Sequence, residues 1–290
     1  MPSERSTEGL FSPVLKAMKN HPLASFFLLT FTISWAMWLC VWMTGKGVAL
    51  YTYPLLLIGV FGPFISSFTM TFLQSGRAGV RKLAGRLLQW HESLRWYAVS
   101  LFLIPAMMLV AIGLNVAMGG QIGQSSWLQW WLPLILPVAL VTGIITGGPL
   151  AEEPGWRGFA LPRLQAKYGP LAGGIALGLI WCCWHIPLFF IKGSSQYGLP
   201  FALWAVYTMA LSLMMVWVYN RSNGSILIMM LFHASSNIAI TVLPVLPQMA
   251  GGWNTAYIYI AIVIIVMIGI IMLNFRDMIV KKPVESGNSA

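Results

Sequence analysis

Six polar side chains in the second half of the sequence have types and spacings that could support hydrolytic chemistry. They come from three separate segments: Glu152, Glu153, Arg157, His185, His233 and Asn237. A carboxylate can act as a general base, imidazole and carboxamide groups can stabilise an oxyanion, and imidazoles with a carboxylate can bind a metal. Because burying each group alone would cost its own desolvation, we expect the bundle to bring them together.

Helical spacing gives the two adjacent glutamates different surroundings. Glu153 and Arg157 are four residues apart and share a helix face, so we predict an ion pair between them. Glu152 is rotated by about 100° from Glu153 and lacks that partner. It is therefore the candidate free carboxylate facing a cavity. The local motif also fits a simpler interpretation, negative charge at a helix N-terminus with a salt bridge at the membrane edge.

The two histidines lie in apolar sequence. His185 is followed by Pro187, which we expect to loosen the helix locally. His233 and Asn237 are four residues apart and face the same way. A single histidine or asparagine in a membrane helix often only joins that helix to its neighbour. It is the complete set, drawn from three segments, that indicates a site.

The elements that position these residues are predicted to be membrane-spanning helices. The chain has 290 residues, of which 58% are hydrophobic and 8% charged, whereas a soluble domain has about 25% charged residues. Its apolar blocks are about 20 residues long, enough to cross a bilayer as a helix. We predict an all-α polytopic membrane protein with eight spans, at about 23–43, 52–73, 96–118, 127–148, 170–191, 199–220, 225–246 and 254–275. Residues 1–22 and 276–290 are predicted cytoplasmic tails flanking one membrane domain.

The basic residues predict an orientation. The chain carries 17 Lys and Arg against 7 Asp and Glu, a net charge of +10. Only Lys46 and Lys192 fall in loops on one side of the predicted spans, and all the others fall on the side of the termini. This asymmetry follows the positive-inside rule. It predicts a multi-pass protein of the cell membrane with both termini in the cytoplasm, in contact with lipids and not with nucleic acid.

Two of the predicted cytoplasmic segments have interpretable patterns. In 76–91 the apolar residues recur at helical spacing, which fits a helix on the anionic inner leaflet or, equally, a solvated loop. In 149–169, Gly147, Gly148 and Pro149 end the fourth span, and Pro154 suits the first turn of the next helix. The glutamates would then lie near a helix N-terminus. Irregular backbone at this depth predicts a water-filled cavity, which we expect to open to the cytoplasm.

Several other functions are disfavoured by the sequence. It contains no His-Glu-x-x-His motif, no rhomboid-type serine motif, no aspartate within a predicted span and no phosphate-binding glycine loop. A transporter with a glutamate proton relay would need carboxylates towards both faces, and the outer half of the predicted bundle has none. A membrane protein that only binds a peptide toxin or partner remains as the alternative to an enzyme.

Three short motifs resemble those of the CPBP family, the CAAX-protease and bacteriocin-processing group of intramembrane proteases. The first is Glu152-Glu153-Pro-Gly-Trp-Arg157, and the second is Trp181-Cys-Cys-Trp-His185, with Trp181 where the family usually has phenylalanine. The third is His233-Ala-Ser-Ser-Asn237. The resembling core covers about 140–240. We expect the Trp181 difference to alter packing beside His185 more than chemistry.

The resemblance implies an intramembrane endopeptidase of the CAAX prenyl protease type, acting on a peptide or protein substrate, prenylated or not, that enters from the cytoplasmic side. It implies that Glu152 activates water held by His185, and that His233 and Asn237 stabilise the oxyanion. Glu153 and Arg157 would be supporting residues. No cofactor is certain: Glu152, His185 and His233 could form a zinc site, and the same groups could act without metal, which we favour. Because many bacterial relatives resemble immunity proteins, a non-enzymatic role in bacteriocin immunity or in binding a membrane partner is the alternative.

Overall fold

The computed structural model describes residues 12–122 and 132–279, and within these ranges the chain forms helices joined by short connections, without strands. The helices are α1 (Ser12–Asn20), α2 (Pro22–Met43), α3 (Tyr53–Val60), α4 (Gly62–Arg86), α5 (Leu94–Ala117), α6 (Leu132–Thr146), α7 (Pro149–Glu153), α8 (Leu161–Tyr168), α9 (Pro170–Trp184), α10 (Phe201–Arg221), α11 (Ile226–Val242), α12 (Pro247–Ala250), α13 (Asn254–Leu273) and α14 (Phe275–Ile279). A π-helical segment, Pro154–Ala160, joins α7 to α8, and a 3₁₀ segment, Ile186–Phe190, follows α9.

The predicted all-helical membrane fold is confirmed. Six helices of the described chain are long and apolar enough to cross a membrane, and two bent pairs bring the number to eight if each pair is one span. The pairs are α3 with α4, bent by 44°, and the segment 134–146 with 149–168, bent by 42°. The second and fourth predicted spans are therefore broken. Residues 127–131 of the fourth prediction, and 1–11 and 280–290 of the predicted tails, lie outside the described residues.

The break before the glutamates has a local cause. Gly148 has φ 103°, a conformation that strongly favours glycine, and Pro149 then starts α7 at a position where its missing N–H costs no helical hydrogen bond. Glu152 thus lies in the first turn of a helix, as predicted. The prediction that Pro154 lies in the first turn of this helix is wrong, because α7 already starts at Pro149. Pro154 instead opens the π-helical segment, a distortion that is often found at functional sites.

The loops divide the bundle into two ends. At one end, which we call the basic end, loop 87–93 meets loop 222–225: Ser225 Oγ donates to the Gln89 carbonyl at 2.9 Å, and Asn223 donates to Glu92 at 3.1 Å. At the other, which we call the cavity end, loop 44–52 meets loop 191–200 through the Val48 N–H and the Lys192 carbonyl at 2.8 Å. Loop 243–253 lies at the same end as loop 191–200 and lines a common cavity with it.

The structure favours the helical interpretation of segment 76–91 over a solvated loop. The segment is helical as far as Arg86, after a break at Gly76 with φ 58°, and one of its faces packs on protein. Leu83 is buried against Ile226 and Met230. The Arg86 guanidinium donates to Tyr219 Oη and the Gly224 carbonyl, each at 2.7 Å, and to the Gly158 carbonyl at 3.1 Å. Arg86 is thus a structural residue, because its donors are used within the bundle.

Candidate active site

Glu152 is buried and is held by two indoles. Its Oε2 accepts from Trp181 Nε1 at 2.7 Å and from Trp156 Nε1 at 3.3 Å, and the residue is 5% exposed. Within the described chain, no hydrogen bond reaches Oε1. As predicted, Glu152 has no cationic partner and lines the cavity. One oxygen is therefore fixed by the protein and the other is available to a ligand.

Trp181 has a role beyond packing. We expected tryptophan in place of the family's phenylalanine to alter packing more than chemistry, and its N–H also makes the shorter of the two bonds to Glu152. A phenylalanine ring has no such donor. The Arg157 guanidinium also lies 4.3 Å from the Trp181 ring centroid, within cation–π range. Trp181 therefore contacts both the carboxylate of Glu152 on the cavity wall and the buried Arg157 guanidinium behind it.

Glu153 lies behind the cavity, and its Oε1 contacts two other residues of the site. The oxygen accepts from Arg157 Nη1 at 3.0 Å, which confirms the predicted ion pair, and lies 2.8 Å from His233 Nδ1. Glu153 and Arg157 are fully buried and are not among the residues that line the cavity. Because a carboxylate only accepts, His233 donates from Nδ1 and leaves Nε2 for the cavity.

His185 is oriented in a similar way. The α-helix ends at Trp184, just before Pro187, and His185 lies at the junction with the 3₁₀ segment. Its Nδ1 is 2.8 Å from the Trp181 carbonyl, which can only accept, so Nδ1 carries the hydrogen. In the neutral ring Nε2 is then an acceptor. Trp184 and Trp204 pack around the ring, with centroids at 4.8 and 5.3 Å.

Asn237 connects α11 to the broken span. Its Nδ2 donates to the Gly147 carbonyl at 3.1 Å, a group that the break between α6 and α7 leaves accessible. Together with His233 one turn earlier, it lines the cavity beside Glu152. The structure thus brings all six predicted residues into one neighbourhood, with four on the cavity wall and Glu153 and Arg157 behind.

The cavity has a volume of about 740 Å³ and extends from Glu152 to the loops of the cavity end. Glu152 is the one carboxylate on its wall in the described chain, and no Lys or Arg lines it there. The basic end is the end predicted to be cytoplasmic. Two sequence predictions, a cytoplasmic basic end and a cavity that opens to the cytoplasm, therefore do not hold together.

The possible zinc set was tested against this geometry. Within residues 12–122 and 132–279, no three His, Cys, Asp or Glu side chains lie close enough together to hold a metal. Glu152 Oε2 is also occupied by two indole N–H groups. Glu152, His185 and His233 as placed do not fit a zinc site.

Comparison with known proteins agrees with the site. Residues 124–239 match the profile of the type II CAAX prenyl endopeptidase Rce1-like family, a range that contains all six site residues. The chain is also 26% identical over 238 residues to CAAX prenyl protease 2 of Methanococcus maripaludis, covering 78% of this chain and 86% of that protein. Both matches support the CPBP, or CAAX-protease, family. They indicate a peptidase embedded in the membrane through several spans, with a peptide or protein substrate.

Sequence reasoning missed three contributors to this site. The contact between Glu153 and His233 joins residues 80 positions apart, and no local spacing predicts it. The indole donors of Trp181 and Trp156 were not predicted either. The bond from Trp156 could have been predicted from the sequence, because Trp156 is four residues after Glu152 and shares its helix face. The bond from Trp181 could not, because it forms only when α9 packs against the segment that contains Glu152.

Proposed function

We propose that the chain is an intramembrane endopeptidase of the cell membrane in which Glu152 activates the water that attacks a peptide bond. The observation that carries the proposal is the position of Glu152 on the cavity wall, with Oε2 held by indoles and Oε1 directed to no protein donor of the described chain. A general base must be fixed and yet reach the proton it removes.

The proposed reaction begins with a water between Glu152 and His185. His185 Nε2 accepts one hydrogen bond from this water, and Glu152 takes a proton from it as its oxygen forms a bond to the substrate carbonyl carbon. The carbonyl oxygen becomes an oxyanion, which is stabilised by hydrogen bonds from His233 and Asn237. To donate to the oxyanion, His233 must carry a proton on Nε2 as well as on Nδ1, the atom that lies 2.8 Å from Glu153 Oε1.

The second half of the reaction returns the proton. The tetrahedral intermediate collapses, the carbon–nitrogen bond breaks, and the leaving nitrogen takes the proton from Glu152. Glu152 is regenerated as a carboxylate, and the products are a new carboxylate and a new amine. These steps involve no change of redox state.

The cavity wall supports an apolar substrate. Aromatic and aliphatic side chains dominate it, among them Trp184, Trp204 and Leu211, and such a wall accommodates a prenyl group or an apolar peptide segment. The relative from Methanococcus maripaludis is named a CAAX prenyl protease. We therefore include prenylated cysteine peptides among the proposed substrates.

The test is cleavage of matched peptides by protein purified in detergent. A fluorogenic peptide ending in a prenylated Cys-x-x-x sequence is compared with its unprenylated twin and with a small library of apolar peptides. We expect the wild type to cleave at least one peptide, and preference within the matched pair to show whether a prenyl group is recognised.

Glu152→Gln is the decisive variant, because it keeps the size of the side chain and removes the base. We expect a rate fall of about 10²-fold or more, with an unchanged melting temperature as the control for folding. Equal turnover by both proteins would contradict the role of Glu152. If neither protein cleaved any peptide but the wild type bound one, the binding-only alternative would be favoured.

A further inference from the structure

The break between α6 and α7 consists of two glycines whose main chain contacts two residues of the active site. The Gly147 carbonyl accepts from Asn237 Nδ2 at 3.1 Å, and the Gly148 carbonyl accepts from the Glu152 N–H at 2.8 Å. Both glycines line the cavity. This short stretch of main chain therefore contacts both the proposed base and one of the proposed oxyanion donors.

Gly148 leaves the space beside the free oxygen of Glu152 open. A β-carbon at this position would lie 2.6 Å from Glu152 Oε1 and 3.7 Å from its carboxyl carbon. Ordinary contacts of a β-carbon begin at about 3.4 Å, so even the methyl group of an alanine would overlap with Oε1. This is the oxygen left free to take a proton from water in the proposed reaction. The absence of a side chain at Gly148 therefore keeps Oε1 clear.

The overlap could be relieved only at the expense of the carboxylate. Glu152 Oε2 accepts from Trp181 and Trp156, so a movement that takes Oε1 away from a β-carbon also displaces Oε2 from these donors. If the carboxylate kept its place, the added methyl group would occupy volume beside Oε1, which a water must reach. In either case the base loses its alignment with the water, and a misplacement of about 1 Å can reduce a rate by about 10²-fold.

A second glycine separates the effect of this contact from the effect of backbone strain. Gly119, at the end of α5, has φ 87°, close to the 103° of Gly148. No atom of the described chain lies within 4 Å of the position that its β-carbon would occupy, and Gly119 is exposed. An alanine at either position strains the main chain. Of the two, only the alanine at position 148 would also meet a residue of the active site.

We propose that Gly148 is a positioning residue of the active site, which keeps the place of the attacking water beside Glu152 Oε1 free. The neighbouring Gly147 carbonyl supports the same arrangement by bonding to Asn237. The proposal rests on the proposed function for its chemistry, and on the approach of Gly148 to Glu152 for its geometry. It adds to the site a residue without any functional group in its side chain.

The first test compares the rates of Gly148→Ala and Gly119→Ala with the peptide that the wild type cleaves. Well below the melting temperatures of both variants, we expect kcat of Gly148→Ala to fall by about 10²-fold. KM should change little, because the rest of the cavity wall is kept. Gly119→Ala should retain the kcat of the wild type. Wild-type kcat in Gly148→Ala, or an equal fall in both variants, would overturn the proposal.

The second test measures the contact without a substrate, and it decides alone if no tested peptide is cleaved. Glu152→Ala removes Oε1. The drop in Tm caused by Gly148→Ala should therefore be smaller in the Glu152→Ala protein than in the wild type, whereas the drop caused by Gly119→Ala should be the same in both. Equal drops from Gly148→Ala in both backgrounds, or failure to fold in both, would overturn the proposal, because the main chain and not Oε1 would then set the cost.

The two proposals fail in different ways. Equal turnover by the wild type and Glu152→Gln would remove the proposed role of Glu152, and the coupling in Tm between Gly148 and Glu152 would remain. A Gly148→Ala protein that is as active as the wild type would leave the proposed peptidase in place and remove only the role of Gly148.

Discussion

The basic end and the wall of the cavity use polar side chains in opposite ways. At the basic end Arg86 directs donors to three protein acceptors and closes the gap between helices. On the cavity wall Glu152, His185 and His233 are each bonded to protein through one atom, and each has a second atom available to the cavity. Polar atoms that are all paired stabilise a fold, whereas those held from one side only can act on a ligand.

Glu153 lies between these two cases. It lines no cavity, yet it fixes His233 and pairs with Arg157 inside the bundle. The difference between the basic end and the cavity wall therefore predicts separate effects on stability and on the catalytic rate. Changes at the basic end should alter stability and spare the rate, changes on the cavity wall should alter the rate and spare stability, and a change at Glu153 should alter both.

Glu153→Gln should have the largest combined effect. It would leave the fully buried Arg157 without its carboxylate, and removing one partner of a buried ion pair costs about 3–5 kcal/mol. The catalytic rate should fall too, because His233 then faces a neutral amide in place of the carboxylate. Thermal unfolding in detergent, with Glu152→Gln as the isosteric control, measures the first effect. A Glu153→Gln protein as stable as Glu152→Gln would break the distinction between the two glutamates.

Trp181→Phe should reduce the rate with little effect on stability. A hydrogen bond to a charged group contributes about 1.5–3 kcal/mol, and losing it from Glu152 would reduce kcat by about 10- to 100-fold. KM should change little, because the ring that packs beside His185 is kept. Trp156→Phe is the matched control, and its longer bond predicts a smaller loss. Unchanged kcat in Trp181→Phe would show that the phenylalanine usual in the family is equivalent here.

Arg86→Met should have the smallest effect on catalysis. The change keeps an apolar side chain of similar length but leaves the acceptors at Tyr219, Gly224 and Gly158 without their donor, at a cost of about 1–2 kcal/mol. We expect a lower melting temperature and a kcat within about threefold of the wild type. Arg81→Met, at an exposed position of the same helix, controls for loss of charge. A loss of activity without a loss of stability would place Arg86 in the catalytic machinery.

The sequence predicted what depends on local periodicity and composition. Apolar blocks of about 20 residues predicted the spans, and the spacing of Glu153 and Arg157 predicted their ion pair, because both follow from helical geometry alone. The bond between Glu153 and His233 depends on the rotation and depth of two helices distant in sequence. The same is true of Arg86, whose three acceptors come from two other segments.

The direction of the cavity shows a different limit. Loop charges predicted one orientation, and the position of the glutamates after the fourth span predicted cytoplasmic access. The two predictions do not agree with each other, because 149–168 does not form a loop beyond that span. It continues as helix after a 42° bend, and the cavity beside Glu152 extends to the cavity end.

Single-turnover cleavage in ¹⁸O-labelled water tests the central claim most directly. The peptide that the wild type cleaves is mixed with excess enzyme, and the mass of the product that carries the new carboxylate is measured by mass spectrometry. If Glu152 activates a water that attacks the carbonyl carbon, the first-turnover product carries one ¹⁸O atom in that carboxylate. A first-turnover product without the label would contradict the account, because its new oxygen would then come from an enzyme carboxylate and not from water.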